Sequence, residues 1–214
     1  MDTDQRCHAA LSLLVILASV GLCAGTANAQ DRMPAIPADA LTLQQQQAVT
    51  DFRAARNAEL TGPFVPLLRS PEVLTRARAL GDYLRYKTQL EPRHSEFVIL
   101  MAARSWSQQY EWAVHHPIAI KAGVKAEVAR AIAERRRPAD MTGEETTLYD
   151  FCDELMRTQT VGDAAYARMV ATFGEKGVVD TVGIVGYYTM LAMVLNTART
   201  PAPDNGAPRM PAPR

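Results

Sequence analysis

The chain has 214 residues, 48% of them hydrophobic and 21% charged, with 23 basic side chains balanced by 23 acidic ones. That composition supports one sizeable core and excludes the basic surface that nucleic-acid binding requires. The one short basic run, Arg135–Arg137, precedes Pro138 at the end of a helix, where cations complement the helix macrodipole.

Residues 1–29 read as an export signal, with an apolar run from Ala9 to Cys23 and the small-x-small pattern Ala27-Asn28-Ala29 before Gln30. The run is shorter than the ~20 apolar residues of a spanning helix. The expected product is therefore periplasmic or secreted, with no membrane segment after cleavage. Cleavage would remove Cys7 and Cys23 and leave Cys152 alone, which rules out dithiol chemistry within one chain. Cys152 sits among apolar helix positions in LYDFCDELM and reads as a small buried hydrophobe.

Residues 30–40, with Pro34 and Pro37, read as a linker. Residues 41–200 read as an all-α, multi-helix domain. Its first helix spans 41–60, and TGPFVPLLRSP follows as an irregular loop. Ser70-Pro71-Glu72 opens the second helix, which carries Leu74, Ala77, Leu80 and Leu84 at helical period. Glu91-Pro92 starts the third, from about 93 to 107, and the fourth spans 110–122 with Pro117 inside it as a possible kink. A helix over 124–136 precedes the capping box Thr142-Gly143-Glu144-Glu145, which opens another. Residues 163–173 form a shorter helix ended by Gly174, and 175–197 a long one that is apolar nearly all round. Such a helix is buried on every side, by its own neighbours or by a second subunit. Residues 201–214, rich in proline and without apolar periodicity, read as a disordered tail.

The chemistry-bearing stretch is EFVILMAARSWSQQYEWAVHH, Glu96 to His116. Glu111 and His115 are four apart and share one face of a helix. A hairpin of this helix and the preceding one brings Glu96 to the same spot, making Glu96, Glu111 and His115 the catalytic candidates. An unpaired buried carboxylate is costly, so Glu96 needs a partner, and His115 is the obvious one. Two carboxylates in unlike environments divide acid and base roles. Tyr110 and Trp112 would wall the pocket, and Arg93 and Arg104 are candidates to clamp a substrate carboxylate. No metal site is expected: His115 and His116 diverge by about 100° on a helix, and HExxH is absent.

RHSEFVILMAARSWSQQYEWAVHHPIAIKAG, with GYYTMLAMVLNTARTP near the end, resembles the carboxymuconolactone decarboxylase family, which includes the alkylhydroperoxidase D-like proteins. The family pattern falls on Glu96, Gln108, Glu111 and His115. In the peroxidase branch the two middle positions are the cysteines of a CxxC pair, and here they are Gln108 and Glu111. The resemblance implies an all-helical bundle, assembly into trimers or hexamers, no cofactor, and acid/base decarboxylation or isomerisation of a small lactone or organic acid. In that reading Glu96 is the acid/base, His115 assists the oxyanion or shuttles the proton, Glu111 orients His115, and Gln108 helps bind substrate. The alternative is a non-catalytic helical oligomer that binds a small ligand in the periplasm. Third comes a peroxidase relying on Cys152.

Overall fold

The computed structural model describes residues 30–212. The export signal, with Cys7 and Cys23, lies outside the described residues. Eight α-helices follow a short 3-10 turn at Ala38–Ala40, and among the described residues there is no strand. The helices are α1 (Leu43–Arg56), α2 (Phe64–Leu67), α3 (Pro71–Tyr86), α4 (Pro92–Ser105), α5 (Gln109–Lys121), α6 (Ala126–Ala133), α7 (Gly143–Thr158) and α8 (Asp163–Ala198).

Helix starts follow local chemistry. Thr42 with Gln45 and Thr142 with Glu145 close reciprocal capping boxes on α1 and α7. Proline opens α3 and α4, where its missing N–H costs nothing. Ser70, expected as a cap, makes no side-chain capping bond. The loop expected after α1 contains the single turn α2, whose Phe64 and Leu67 are buried. Gly174 interrupts α8 with non-helical angles (φ 67°, ψ 173°), so α8 is in effect the two expected helices meeting at a kink.

The central element is α4. Every residue from His94 to Arg104 is buried, and α5, α6, α7 and α8 pack around it. A helix apolar on all sides has to occupy the middle of a domain, and Phe97 to Leu100 are fully enclosed. The second half of α8 is not enclosed by its own neighbours alone: Val179, Val182 and Met193 form an exposed stripe, 69%, 43% and 42% accessible.

The C-terminal segment corrects an expectation. Residues 201–212 have no regular structure but are strapped along α5. Pro117 does not break α5, although it cannot donate to the carbonyl of Ala113 one turn back. Asn205 Nδ2 supplies the missing donor at 2.8 Å. Trp112 Nε1 donates to the Pro208 carbonyl at 2.9 Å, and the Gln109 side-chain amide exchanges two bonds with the Met210 backbone. Met210 itself is 4% exposed. Composition pointed to disorder because the tail carries no helical period; its order comes from backbone polar groups matched to one face of α5. The linker is likewise held, with Arg32 N donating to the Ala198 carbonyl at 2.7 Å.

Candidate active site

The α4–α5 hairpin places Glu96 and His115 in contact. His115 Nδ1 lies 2.7 Å from Glu96 Oε2, and both side chains are buried. The bond orients the ring and directs its other nitrogen, Nε2, toward Glu111 Oε2 at 3.5 Å. Tyr188 of α8 holds the imidazole edge-on, with ring centroids 5.0 Å apart. The second oxygen of Glu96 faces Arg85 Nη2 at 3.6 Å.

Both oxygens of Glu96 are therefore engaged, while Glu111 keeps Oε1 buried without a partner. Burial raises the Glu111 carboxyl pKa above the ordinary glutamate value, against the pull of His115 and Arg85. Glu96 therefore holds His115 in place, while one oxygen of Glu111 has no protein partner.

These groups border a cavity of about 160 Å³. Arg85, Tyr110, Glu111, His115, Tyr187 and Tyr188 form its polar wall, and Phe64, Val114 and Leu191 its apolar one. Arg85 Nε is buried without a partner. Burial opposes the Arg85 charge, but Tyr188, Tyr86, Glu96 and Glu111 together hold its pKa above the usual guanidinium value. Burial pushes Tyr187 up to about 12 and Tyr188 well above the ordinary phenol value, so both stay protonated donors at neutral pH. Two glycines make room for the aromatic walls. Gly62, in the left-handed region at φ 55°, lies so close to Tyr110 that a Cβ would sit 2.5 Å from its ring. Gly81 gives the same clearance to the Tyr187 hydroxyl.

Four of the expected binding residues are elsewhere. Arg93 pairs with Glu144 at 3.2 Å, and its neighbour His94 is buried against Phe173. Arg104 points away from the cavity and donates to the Pro211 carbonyl at 3.0 Å. Gln108 is the N-cap of α5, its Oε1 accepting from Tyr110 N at 2.6 Å and its Nε2 donating to Asn196 at 2.8 Å. Trp112 faces the C-terminal strap rather than the cavity. Arg93, Arg104 and Trp112 were placed near the site by closeness in sequence and Gln108 by the family pattern, yet on α4 and α5 the neighbouring positions turn to other faces. Only Tyr110 of the expected binding set lines the cavity.

Arg85, Tyr187 and Tyr188 did not stand out in the sequence. A usable signal existed for Arg85, which sits at the edge of the buried stripe Leu74, Ala77, Gly81 and Leu84 of α3. The paired tyrosines sit in a helix that is otherwise almost wholly apolar, where two phenols ask for polar company.

No family model matches the sequence, and neither does any curated protein. Solved structures do match the fold. An alkylhydroperoxidase AhpD-core, peroxidase-related protein from Ralstonia eutropha superposes with a TM-score of 0.66 at 19% identity, over 81% of this chain and 92% of that one. A peroxidase-related protein from a Silicibacter species gives 0.63 at 15% identity, over 82% and 94%. A variant of the debrominase Bmp8, in complex with 2,3,4-tribromopyrrole, gives 0.60 at 10% identity, over 81% and 91%. The chain has the alkylhydroperoxidase D-like fold.

Proposed function

We propose that the chain is a cofactor-free acid/base enzyme that decarboxylates or isomerises a small unsaturated lactone acid or related organic acid. One observation carries this reading: Arg85 and Glu111 line the same cavity, and each keeps a buried polar atom, Nε and Oε1, without a protein partner. Such groups are costly unless something polar meets them. A substrate with a carbonyl oxygen for Arg85 and a carbon that takes or gives a proton at Glu111 satisfies both.

In decarboxylation, the bond between a ring carbon and its carboxylate breaks and carbon dioxide leaves. The electron pair moves through the conjugated system onto the lactone oxygen, where Arg85 stabilises the developing charge. Glu111, whose proton burial makes harder to lose, then delivers it to carbon. A proton from solvent restores Glu111, relayed by His115 through the Nε2 that faces it while Glu96 holds the ring. Isomerisation uses the same groups, with ionised Glu111 taking a proton from one carbon and returning it to another in place of carbon dioxide loss. Of the two roles expected of His115, proton shuttling suits a ring whose Nε2 faces Glu111, and Arg85 takes the oxyanion.

The cavity is smaller than the ~300–1,000 Å³ of drug-sized pockets, which favours a single-ring substrate. The ring ligand of the debrominase neighbour fits that scale. Thiol peroxidase chemistry is disfavoured at Cys152, the one cysteine among the described residues: it is completely buried, and burial pushes its thiol pKa well up. The exposed stripe of Val179, Val182 and Met193 supports assembly into a homo-oligomer, and residues 1–29 support a periplasmic or secreted location.

The test is carbon dioxide release and proton exchange over a panel of carboxylated five-membered lactones. Turnover of at least one, lowered at least about 10²-fold by Glu111→Gln in a folded protein, is the expected result. Tight binding with no turnover of any member would favour the non-catalytic ligand-binding reading instead.

A further inference from the structure

A second, larger cavity of about 280 Å³ lies between the C-terminal ends of α4 and α6 and the body of α7. Arg104, Arg135, Arg136 and Arg157 line it, with Asp153 the one carboxylate in the lining. Tyr149 and Met101 supply apolar surface. None of these residues touches the Glu111 cavity.

The partners of these arginines leave bonding capacity unused. Arg135 Nη2 donates to the Arg104 carbonyl at 3.2 Å and to Ser107 Oγ at 3.1 Å, closing the C-terminal end of α4. Arg136 pairs with Glu134. Arg157 Nε stands 3.6 Å from Asp153, an exposed and weak pair. Arg104 is the anomaly. It is only 6% exposed, and apart from its bond to the Pro211 carbonyl its Nε has no partner. Burial and the neighbouring Arg135 charge both loosen its hold on a proton. Capping of helix ends explains Arg135. It does not explain a second guanidinium buried beside the first with an idle N–H.

We propose that this cavity is a binding site for a small organic anion, a phosphate or carboxylate carried on an aromatic or short apolar body. The oxyanion sits between Arg104 and Arg157, since guanidinium forks match planar and tetrahedral oxyanions. The body lies against Tyr149 and Met101. This site is independent of the chemistry assigned to Glu111.

Isothermal titration of the full chain with phenyl phosphate, benzoate and inorganic phosphate tests it. Phenyl phosphate or benzoate binds saturably at one site, whichever is tighter naming the oxyanion, and inorganic phosphate binds at least tenfold more weakly. Arg104→Met weakens the tighter probe at least tenfold. Arg157→Ala, a change at an exposed position that leaves the packing alone, weakens it about threefold. Glu111→Gln leaves it unchanged, so failure of the lyase reading does not touch this result. Three outcomes overturn the proposal: no saturable binding by any probe, affinity unchanged in both arginine variants, or affinity lost in Glu111→Gln, which would place the anion in the other cavity.

Discussion

Gln109, Trp112 and Ala113 on one side of α5, and Tyr110, Glu111 and His115 on the other, come from the same 13-residue helix. On the first side each polar group meets the C-terminal strap: an amide pairs with the Met210 backbone, an indole N–H with the Pro208 carbonyl, and the carbonyl freed by Pro117 with Asn205. On the second side a carboxyl oxygen is left unpartnered, as is Arg85 Nε across the same cavity. The contrast separates structure from function. Along the strap the buried polar groups are satisfied. At the cavity, Arg85 and Glu111 keep bonding capacity that a ligand can meet.

Changes on the two faces should therefore differ in kind. His115→Ala is expected to have the largest effect, about a 10³-fold loss of kcat/KM or ~4 kcal/mol of transition-state stabilisation, with the fold retained by circular dichroism. Arg85→Met should follow at about 10²-fold, read as loss of kcat together with weaker binding. On the strapped face the readout moves from rate to stability. Asn205→Ala orphans the Ala113 carbonyl and should cost about 1–2 kcal/mol in denaturant unfolding, with kcat/KM held within about threefold. Smallest is Cys152→Ser. Its buried hydroxyl should lower stability slightly while turnover stays within about twofold; a collapse of turnover would revive thiol chemistry.

Stability should also respond to pH through Glu111. Its folded-state pKa is raised, so the folded chain binds the proton more tightly than the unfolded one. Its contribution is fully present below the ordinary glutamate pKa and is lost as pH rises through the folded value. Glu111→Gln, which cannot ionise, should therefore show a flatter melting temperature over that rise than the parent chain.

The helices were legible because their punctuation is local. Pro71, Pro92, Thr142 and Gly174 each act within a turn of their own position. The Glu96–His115 pair was legible because both residues lie on one hairpin, and a buried carboxylate needs a partner. Arg85 and Tyr188 were not, since they reach the cavity from α3 and α8, and one sequence carries no mark of which distant helices meet. The strap was hidden for another reason. Part of its order rests on Pro117, which reads alone as a helix breaker but frees the Ala113 carbonyl to accept from Asn205.

The most direct test of the Glu111 assignment is turnover of an accepted lactone acid measured against pH, in the parent chain and in Glu111→Gln. The parent rate should fall as pH climbs through the raised carboxyl pKa, because the protonated acid is the working form. In the variant that limb should vanish and the rate should drop at least about 10²-fold. An unchanged rate with the same alkaline limb in both proteins would contradict the account.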